Sequence, residues 1–170
     1  MSGLLNKTKL IQYFEKGIKK NSQQKIGTEH EKFILDKSSL LPLKYNEPNG
    51  IKDIFLELIK LGWKPITEGE HNHIIGLVLN NQSISLEPAG QFELSGASLD
   101  NIHQTCDEIT NHLQQMKKIA SDYKFILLGI GVEPKLGLQD FTFMPKDRYS
   151  IMKDYMPTVG KHGQDMMQRT

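Results

Sequence analysis

The sequence has little of several features that would mark a specialised class of protein. Its 170 residues include one cysteine, Cys106, which excludes a disulfide within the chain and a cysteine-based zinc site. Lysine plus arginine number 21 against 20 for aspartate plus glutamate, so the basic surplus typical of nucleic-acid-binding proteins is missing. No apolar run reaches the length of a membrane span, and the start, MSGLLNKTKLIQYFEKG, lacks the apolar core of a secretory signal. These absences predict a cytoplasmic globular protein that binds neither nucleic acid nor membrane, and they leave its oligomeric state open.

What the sequence does contain is a succession of helical and extended patterns without repeated βαβ units. We therefore predict an α+β fold: a mostly antiparallel sheet with helices packed on one face and the functional site on the other. The predicted elements are a helix over 7–20, a strand over 25–35, a helix from Ile51 that Gly62 ends, a hairpin turning at Asn80-Asn81 with a third extended piece after it, a long helix capped by Ser98, a buried strand in KFILLGIGVEP, and a short helix from Asp147 to Tyr155.

The apolar spacing in the long helix predicts which of its faces is buried. The residues on that face are Ile102, Cys106, Ile109, Leu113, Met116 and Ala120. This position makes Cys106 a buried, inert thiol, and the alternative is a nucleophile flanked by His103 and Asp107.

Two glutamates two residues apart stand out in the stretch GTEHEKF. Alternate side chains of a strand share a face, so Glu29 and Glu31 point the same way, with backbones about 6.6 Å apart. Two carboxylates side by side on a strand repel each other unless a cation or another binding partner compensates their charge. The alternative is a solvent-facing pair on an edge strand.

A second acidic stretch, SLEPAGQFELSG, strengthens the case for a metal site. It adds Glu87 and Glu93, and Gln91 shares a face with Glu93 in an extended segment. Four carboxylates on one small sheet are hard to tolerate unpaired. A hard cation resolves the repulsion, because Mg²⁺ takes oxygen ligands and keeps waters and substrate phosphates in its shell.

Basic residues gather in the last stretch, MPKDRYSIMKDYMPTVGKHGQDMMQRT. Lys146 and Arg148 flank a helix start, and Arg169 falls at the head of a predicted strand. Arginine offers a planar fork suited to carboxylate or phosphate, and the alternative for each residue is a solvated charge at a helix end. The sequence has no glycine-rich phosphate loop, so a nucleotide would be held by metal and arginine on a sheet.

A pair of histidines, His71 and His73, has zinc-binding spacing in EGEHNH. Without cysteines or a clear third ligand, a surface strand or loop is the favoured interpretation. An ATP-independent metallohydrolase that uses the two histidines is the corresponding alternative function.

Four blocks of the sequence, in order, resemble the plant and proteobacterial type of glutamate–cysteine ligase. They are IGTEHEKF, SISLEPAGQFELSGA, IHQTC and the basic stretch from Met144 to Thr170. The resemblance extends to the glutamine synthetase-like carboxylate–amine ligases, which share a G-x-E-x-E strand and an AGQ-x-E-like strand. It implies a partial version of that fold.

The resemblance also implies an activity and a set of roles. ATP phosphorylates the γ-carboxylate of L-glutamate, and the amine of L-cysteine then attacks the acyl phosphate to give γ-glutamylcysteine, the first step of glutathione synthesis. The expected metal ligands are Glu29, Glu31 and Glu93, with Glu87 as a further candidate for Mg²⁺ under the ATP phosphates. Arg148 and Arg169 are the expected catalytic residues, and Lys146 and Gln91 are expected to bind the nucleotide cofactor.

The length of the chain sets one further expectation. Family members are much longer, and QDMMQRT shows no helix cap and no polar tail. We therefore expect residues 1–170 to be the N-terminal part of a single catalytic domain, incomplete on its own. The alternative is a non-catalytic ligase-like fragment, or a regulatory module that binds glutamate or nucleotide.

Overall fold

The computed structural model describes residues 5–20 and 23–170. The helices are α1 (Lys7–Glu15), α2 (Ile51–Lys60), α3 (Ile102–Tyr123), α4 (Asp147–Val159) and α5 (Gly163–Gln168), and a 3-10 turn covers Leu138–Asp140. The strands are β1 (Glu29–Asp36), β2 (Lys64–Glu68), β3 (His73–Leu79), β4 (Gln82–Leu86), β5 (Phe92–Ser95) and β6 (Phe125–Leu128). None of the helices in these ranges is long and apolar enough to cross a bilayer.

The six strands form one sheet in the order β2-β3-β4-β5-β1-β6, and every neighbouring pair is antiparallel. The predicted hairpin is confirmed: Asn80 and Asn81 both have positive φ, at 49° and 67°, and join β3 to β4. Such a two-residue turn matches the twist of the flanking strands, and asparagine tolerates its left-handed backbone. The predicted α+β class, with a mostly antiparallel sheet, is also confirmed.

Alternation along the strands gives the sheet two different faces. On one face α2 and α3 cover an apolar core that contains Ile34, Ile84, Leu94, Phe55 and Met116. Phe33 and Leu35 alternate with Ile34 and therefore point to the other face, where they pack with Ala89 and Phe141. Away from β6, the same face carries polar side chains on β1, β4 and β5, among them Glu31, Ser85 and Glu93.

The N-terminal helix is shorter than predicted. It ends at Glu15 rather than Lys20, and its apolar residues remain largely exposed, with Tyr13 at 76% and Phe14 at 74%. The strand over 25–35 is likewise shifted, because pairing with β5 begins only at Glu29.

The predicted cap of α3 is wrong, and its predicted buried face is confirmed only in part: Met116 is buried and Ile109 and Ala120 pack against the core, whereas Ile102 and Leu113 are exposed. Asn101, not Ser98, caps the helix, through a side-chain oxygen that accepts from the N–H groups of His103 and Gln104. The buried residues of the helix are Thr105, His112, Met116 and Ile119. The helix is thus rotated toward its polar residues, and Cys106 is exposed rather than buried.

The C-terminal segment is helical where a strand was predicted. Residues Gly163–Gln168 form α5, and Arg169 caps its end instead of opening a strand. The helix of Asp147 continues to Val159, past Tyr155, with Pro157 inside its last turn. The two helices contact each other, and the start of α4 reaches the end of β4, where the Tyr149 hydroxyl donates to Leu86 O.

Candidate active site

Four glutamates gather on the polar face of the sheet. Glu31 on β1 lies directly opposite Glu93 on β5, and Glu29 lies opposite Ser95. Glu93 is in turn opposite Ser85 on β4, and Glu87 follows the end of β4. Antiparallel pairing therefore joins acidic residues that are far apart in the sequence. We call Glu29, Glu31, Glu87 and Glu93 the acidic face.

Two serines orient the central carboxylate. Ser85 Oγ donates to Glu93 Oε2 at 3.2 Å, and Ser95 Oγ donates to Glu93 Oε1 at 3.0 Å. Both serines come from neighbouring positions on the same face. Glu93 is consequently held between two hydroxyl groups, which fix the direction of its carboxylate. No role was predicted for these serines, although their alternation with the apolar Ile84 and Leu94 indicates that they share a face with Glu93.

A tight turn places Glu87 and Gln91. Gly90 N–H donates to Glu87 O, and Glu87 N–H donates to Gln91 O. Gly90 has a φ of +91°, and a Cβ at that position would lie 2.9 Å from Ile51 Cδ1. Glycine is therefore favoured by the left-handed backbone, and a Cβ would in addition displace the ends of the Ile51 and Met144 side chains.

The carboxylates of the acidic face perturb one another. Partial desolvation at the sheet surface raises the pKa of Glu31, and the charges of Glu87, Glu93 and Glu29 raise it further. Burial, followed by the charge of Glu93, raises the pKa of Glu87, while Lys146 and Arg148 act in the opposite direction. Carboxylates that repel one another in this way favour either a proton or a cation between them.

Two cations lie at the border of the acidic face, held by the start of α4. Lys146 Nζ donates to Leu86 O and to Tyr149 Oη, each at 3.2 Å, and Arg148 Nη2 also donates to Tyr149 Oη at 3.2 Å. The buried Tyr149 hydroxyl donates to Leu86 O. Burial and the neighbouring Arg148 lower the pKa of Lys146, which Glu87 partly offsets. Tyr149, which the sequence analysis did not assign, is thus the anchor that positions both cations.

Gln91 is buried, at 1% exposure, and its side chain is used within the protein. Its Oε1 accepts from Ala89 N–H at 3.2 Å, and its Nε2 donates to Thr170 O at 2.7 Å. In this arrangement Gln91 joins the β4–β5 turn to the end of α5. Its nucleotide-binding role stays a prediction.

The structure separates Arg169 from Lys146 and Arg148. Its Nε and Nη2 donate to Glu133 O at 3.1 and 3.0 Å, and its Nη1 lies 3.4 Å from Asp165 Oδ1. Glu133 N–H also donates to Arg169 O, so the residue fastens the loop after β6 to α5. Its catalytic role also stays a prediction.

No group of three or more histidine, cysteine, aspartate or glutamate side chains within residues 5–20 and 23–170 is arranged to hold a metal ion. The acidic face therefore supplies oxygen donors without a closed cage. The rings of His71 and His73 lie 5.7 Å apart with no third ligand among the described residues, as expected for a turn at the surface.

The fold and the candidate site together describe an α+β protein with a group of carboxylates on one face of an antiparallel sheet, bordered by two cations. The model of glutamate-cysteine ligase family 2 matches residues 25–170. This chain belongs to that family.

Curated relatives from plants are similar along the whole chain. The chloroplastic glutamate–cysteine ligase of Nicotiana tabacum is 48% identical over 170 residues, which cover 98% of this chain and 31% of that protein. Ligase A of Oryza sativa subsp. japonica is 47% identical over 171 residues, covering 100% of this chain and 34% of the rice protein. The Arabidopsis thaliana ligase is 47% identical, with 98% and 31% covered. The chain thus spans about a third of the length of these relatives.

The expected location requires correction. The sequence predicted a cytoplasmic protein, whereas these relatives are chloroplastic by name, so that prediction is wrong. The absence of a signal-like apolar segment near Met1 was its basis, and such an absence carries no information about the compartment of a related protein.

Proposed function

We propose that this chain carries part of the active site of an ATP-dependent ligase that joins the γ-carboxylate of L-glutamate to the amine of L-cysteine. The product is γ-glutamylcysteine, the first intermediate of glutathione biosynthesis. The observation that carries this proposal is the acidic face, bordered by Lys146 and Arg148, in a chain of the glutamate–cysteine ligase family.

Forming an amide from a carboxylate requires an activated leaving group. In the proposed reaction, the γ-carboxylate of glutamate takes the terminal phosphoryl group of ATP, and ADP leaves. The cysteine amine then attacks the acyl carbon, the C–O bond to phosphate breaks, and the amine loses its proton. Both steps bring negatively charged groups together, so the protein must neutralise and orient them.

The residues of the acidic face fit Mg²⁺ in their chemistry. All of them offer carboxylate oxygens, and a cation would relieve the repulsion that raises the pKa values of Glu31 and Glu87. Glu29, Glu31 and Glu93 would hold the ion, with Glu87 as a further ligand. Mg²⁺ keeps several waters and also binds phosphate oxygens, so the ATP phosphates would complete its coordination shell. When bound, the metal neutralises charge on the ATP phosphates.

The cations at the start of α4 complement this role. Arg148 offers a planar fork for phosphate or carboxylate, and Lys146 offers a single charge held 5.1 Å from the centre of the Tyr149 ring. Because Tyr149 contacts both, the pair is fixed before substrate arrives. We assign Arg148 to substrate orientation and Lys146 to the nucleotide, with Gln91 and Arg169 as secondary candidates.

The test is an assay of ADP release by the longer ligase that contains this sequence. Release that requires both L-glutamate and L-cysteine, with γ-glutamylcysteine identified by mass spectrometry, supports the proposal. Binding of glutamate or nucleotide without turnover would instead identify a regulatory module. An activity that proceeds without ATP would exclude a ligase.

A further inference from the structure

A second cavity lies on the opposite side of the sheet from the acidic face. It has a volume of about 340 Å³ and lies between α3 and the β3–β4 hairpin. Along α3 the wall is a polar stripe that recurs about once per helical turn. Its residues are Gln104, Asp107, Glu108, Asn111 and Gln115. Those eleven residue steps extend about 16 Å along the helix axis. We call this cavity the helix-side groove.

Part of the polar stripe holds the protein together. Glu108 Oε1 accepts from Ala97 N–H at 2.8 Å, and Gln115 Oε1 accepts from Trp63 Nε1 at 3.0 Å. The carboxylate of Asp107, by contrast, forms no hydrogen bond or ion pair with any residue that the structure describes. A groove wall with an unpaired carboxylate is therefore available to a ligand.

The charged side chains that line the helix-side groove are acidic. Its lining includes Asp107 and Glu108 and has no lysine or arginine among the described residues. His112 also lines it, is 4% exposed, and has an Nδ1 atom without a partner in the described part of the chain. Burial, with the charges of Lys32 and His30, lowers the pKa of His112 to about 4, so its ring is neutral at pH 7. The groove therefore opposes anions and offers carboxylate and amide oxygens to a cation.

We propose that the helix-side groove is a binding site for a small aliphatic polyamine. Ammonium groups would pair with Asp107 and Glu108, and the side-chain oxygens of the stripe would accept further N–H groups. The methylene segments would lie against Trp63 and Leu79, which form the apolar part of the lining. An amino acid or a phosphate ester would place its own negative charge beside these carboxylates. The volume lies in the range of small-molecule sites, and the elongated stripe suits an extended chain.

The chain contains its own reporter for this site. Trp63 is the only tryptophan in the sequence and lines the groove. We expect spermidine, titrated at about 0.15 M NaCl to screen weak surface attraction, to change the Trp63 fluorescence saturably. The expected Kd is on the order of 0.1–1 mM, and glutarate, a dianion, should produce no change.

Matched variants locate the binding. Asp107→Asn combined with Glu108→Gln removes both charges and keeps an oxygen for Ala97 N–H, so we expect affinity to fall at least about tenfold with the melting temperature nearly unchanged. Asp122→Asn changes an exposed carboxylate on the same helix outside the groove and should keep the affinity within about twofold.

Three results would overturn the proposal. They are the absence of saturable spermidine binding up to about 10 mM, equal affinity in the wild type and the double variant, and a loss of binding in Glu31→Gln with none in the double variant. The last result would assign the polyamine to the acidic face. None of these outcomes depends on ligase activity.

Discussion

Replacing Glu31 by glutamine tests the electrostatics of the acidic face most simply. Glu31 lies opposite Glu93, and Glu87 and Glu29 also raise its pKa. A carboxyl group whose pKa is higher in the folded chain than in the unfolded chain stabilises folding at low pH. That contribution disappears as the pH rises through the folded-state value. At pH 7 the charged Glu31 therefore destabilises the fold.

The size of the effect follows from the cross-strand geometry. A like-charged pair directly opposite on antiparallel strands costs about 0.2–1 kcal/mol, and solvent screening reduces the effect of the more distant charges. We expect Glu31→Gln to raise the free energy of unfolding by about 0.5–1 kcal/mol at pH 7. For a chain of this size that corresponds to about 2 °C in Tm. The gain should shrink toward pH 4, where Glu31 becomes protonated in the wild type.

The assay is thermal unfolding followed by circular dichroism, with and without Mg²⁺. The wild type should gain stability with Mg²⁺, because an ion that binds only the folded chain shifts the equilibrium toward it, and Glu31→Gln should lose most of that gain. Glu15→Gln, which removes a carboxylate on the exposed helix α1, should change neither quantity. A lower Tm in Glu31→Gln, or an unchanged response to Mg²⁺, would refute the reasoning.

Three further substitutions or titrations test separate parts of the structure. Arg148→Lys keeps the charge and loses the bidentate fork. In the longer ligase, kcat should therefore fall at least about tenfold while Tm stays nearly unchanged. Kinetics equal to those of the wild type would contradict a role for Arg148 in the site. Tyr149→Phe removes the hydroxyl that donates to Leu86 O and should lower the free energy of unfolding in urea by about 1–3 kcal/mol. The control is Tyr155→Phe, which changes an exposed side chain and should leave the free energy of unfolding almost unchanged. Burial lowers the pKa of His112 from 6.5 to about 4. The free energy of unfolding should therefore decline by up to about 3 kcal/mol as the pH falls from 6.5 to 4. His112→Gln should remove this decline, and a decline of the same size in that variant would assign it to another group.

Local patterns predicted the elements whose apolar periodicity is strong. The helix at Ile51 begins where the spacing places it, and the Asn80-Asn81 turn has the positive φ values that asparagine tolerates. Alternation along β1 and β5 was also sufficient to predict that Glu29 and Glu31 share a face. It could not identify Glu93 as the partner of Glu31, because register across distant strands depends on the whole sheet.

The remaining differences arise from tertiary contacts that no local pattern contains. Six residues, GQDMMQ, are too few for a helical period, so α5 was not predicted and Arg169 was placed at the head of a strand instead. The face of α3 was predicted only in part because the helix also buries His112 and Thr105, two polar residues that a hydrophobic pattern assigns to solvent. Arg169 binds the carbonyl of Glu133, a contact set by the path of the loop after β6 rather than by neighbouring sequence.

The most direct test of the central claim, that the acidic face binds a divalent metal for phosphoryl transfer, is a titration of this chain with Mn²⁺ as a spectroscopic substitute for Mg²⁺. Electron paramagnetic resonance measures the free aqua ion, whose signal should decrease saturably with the wild-type chain and further when ATP is added. Glu31→Gln combined with Glu93→Gln should abolish this decrease, and Glu15→Gln should preserve it. Mn²⁺ binding of equal affinity in the double variant would contradict the assignment of the metal to the acidic face.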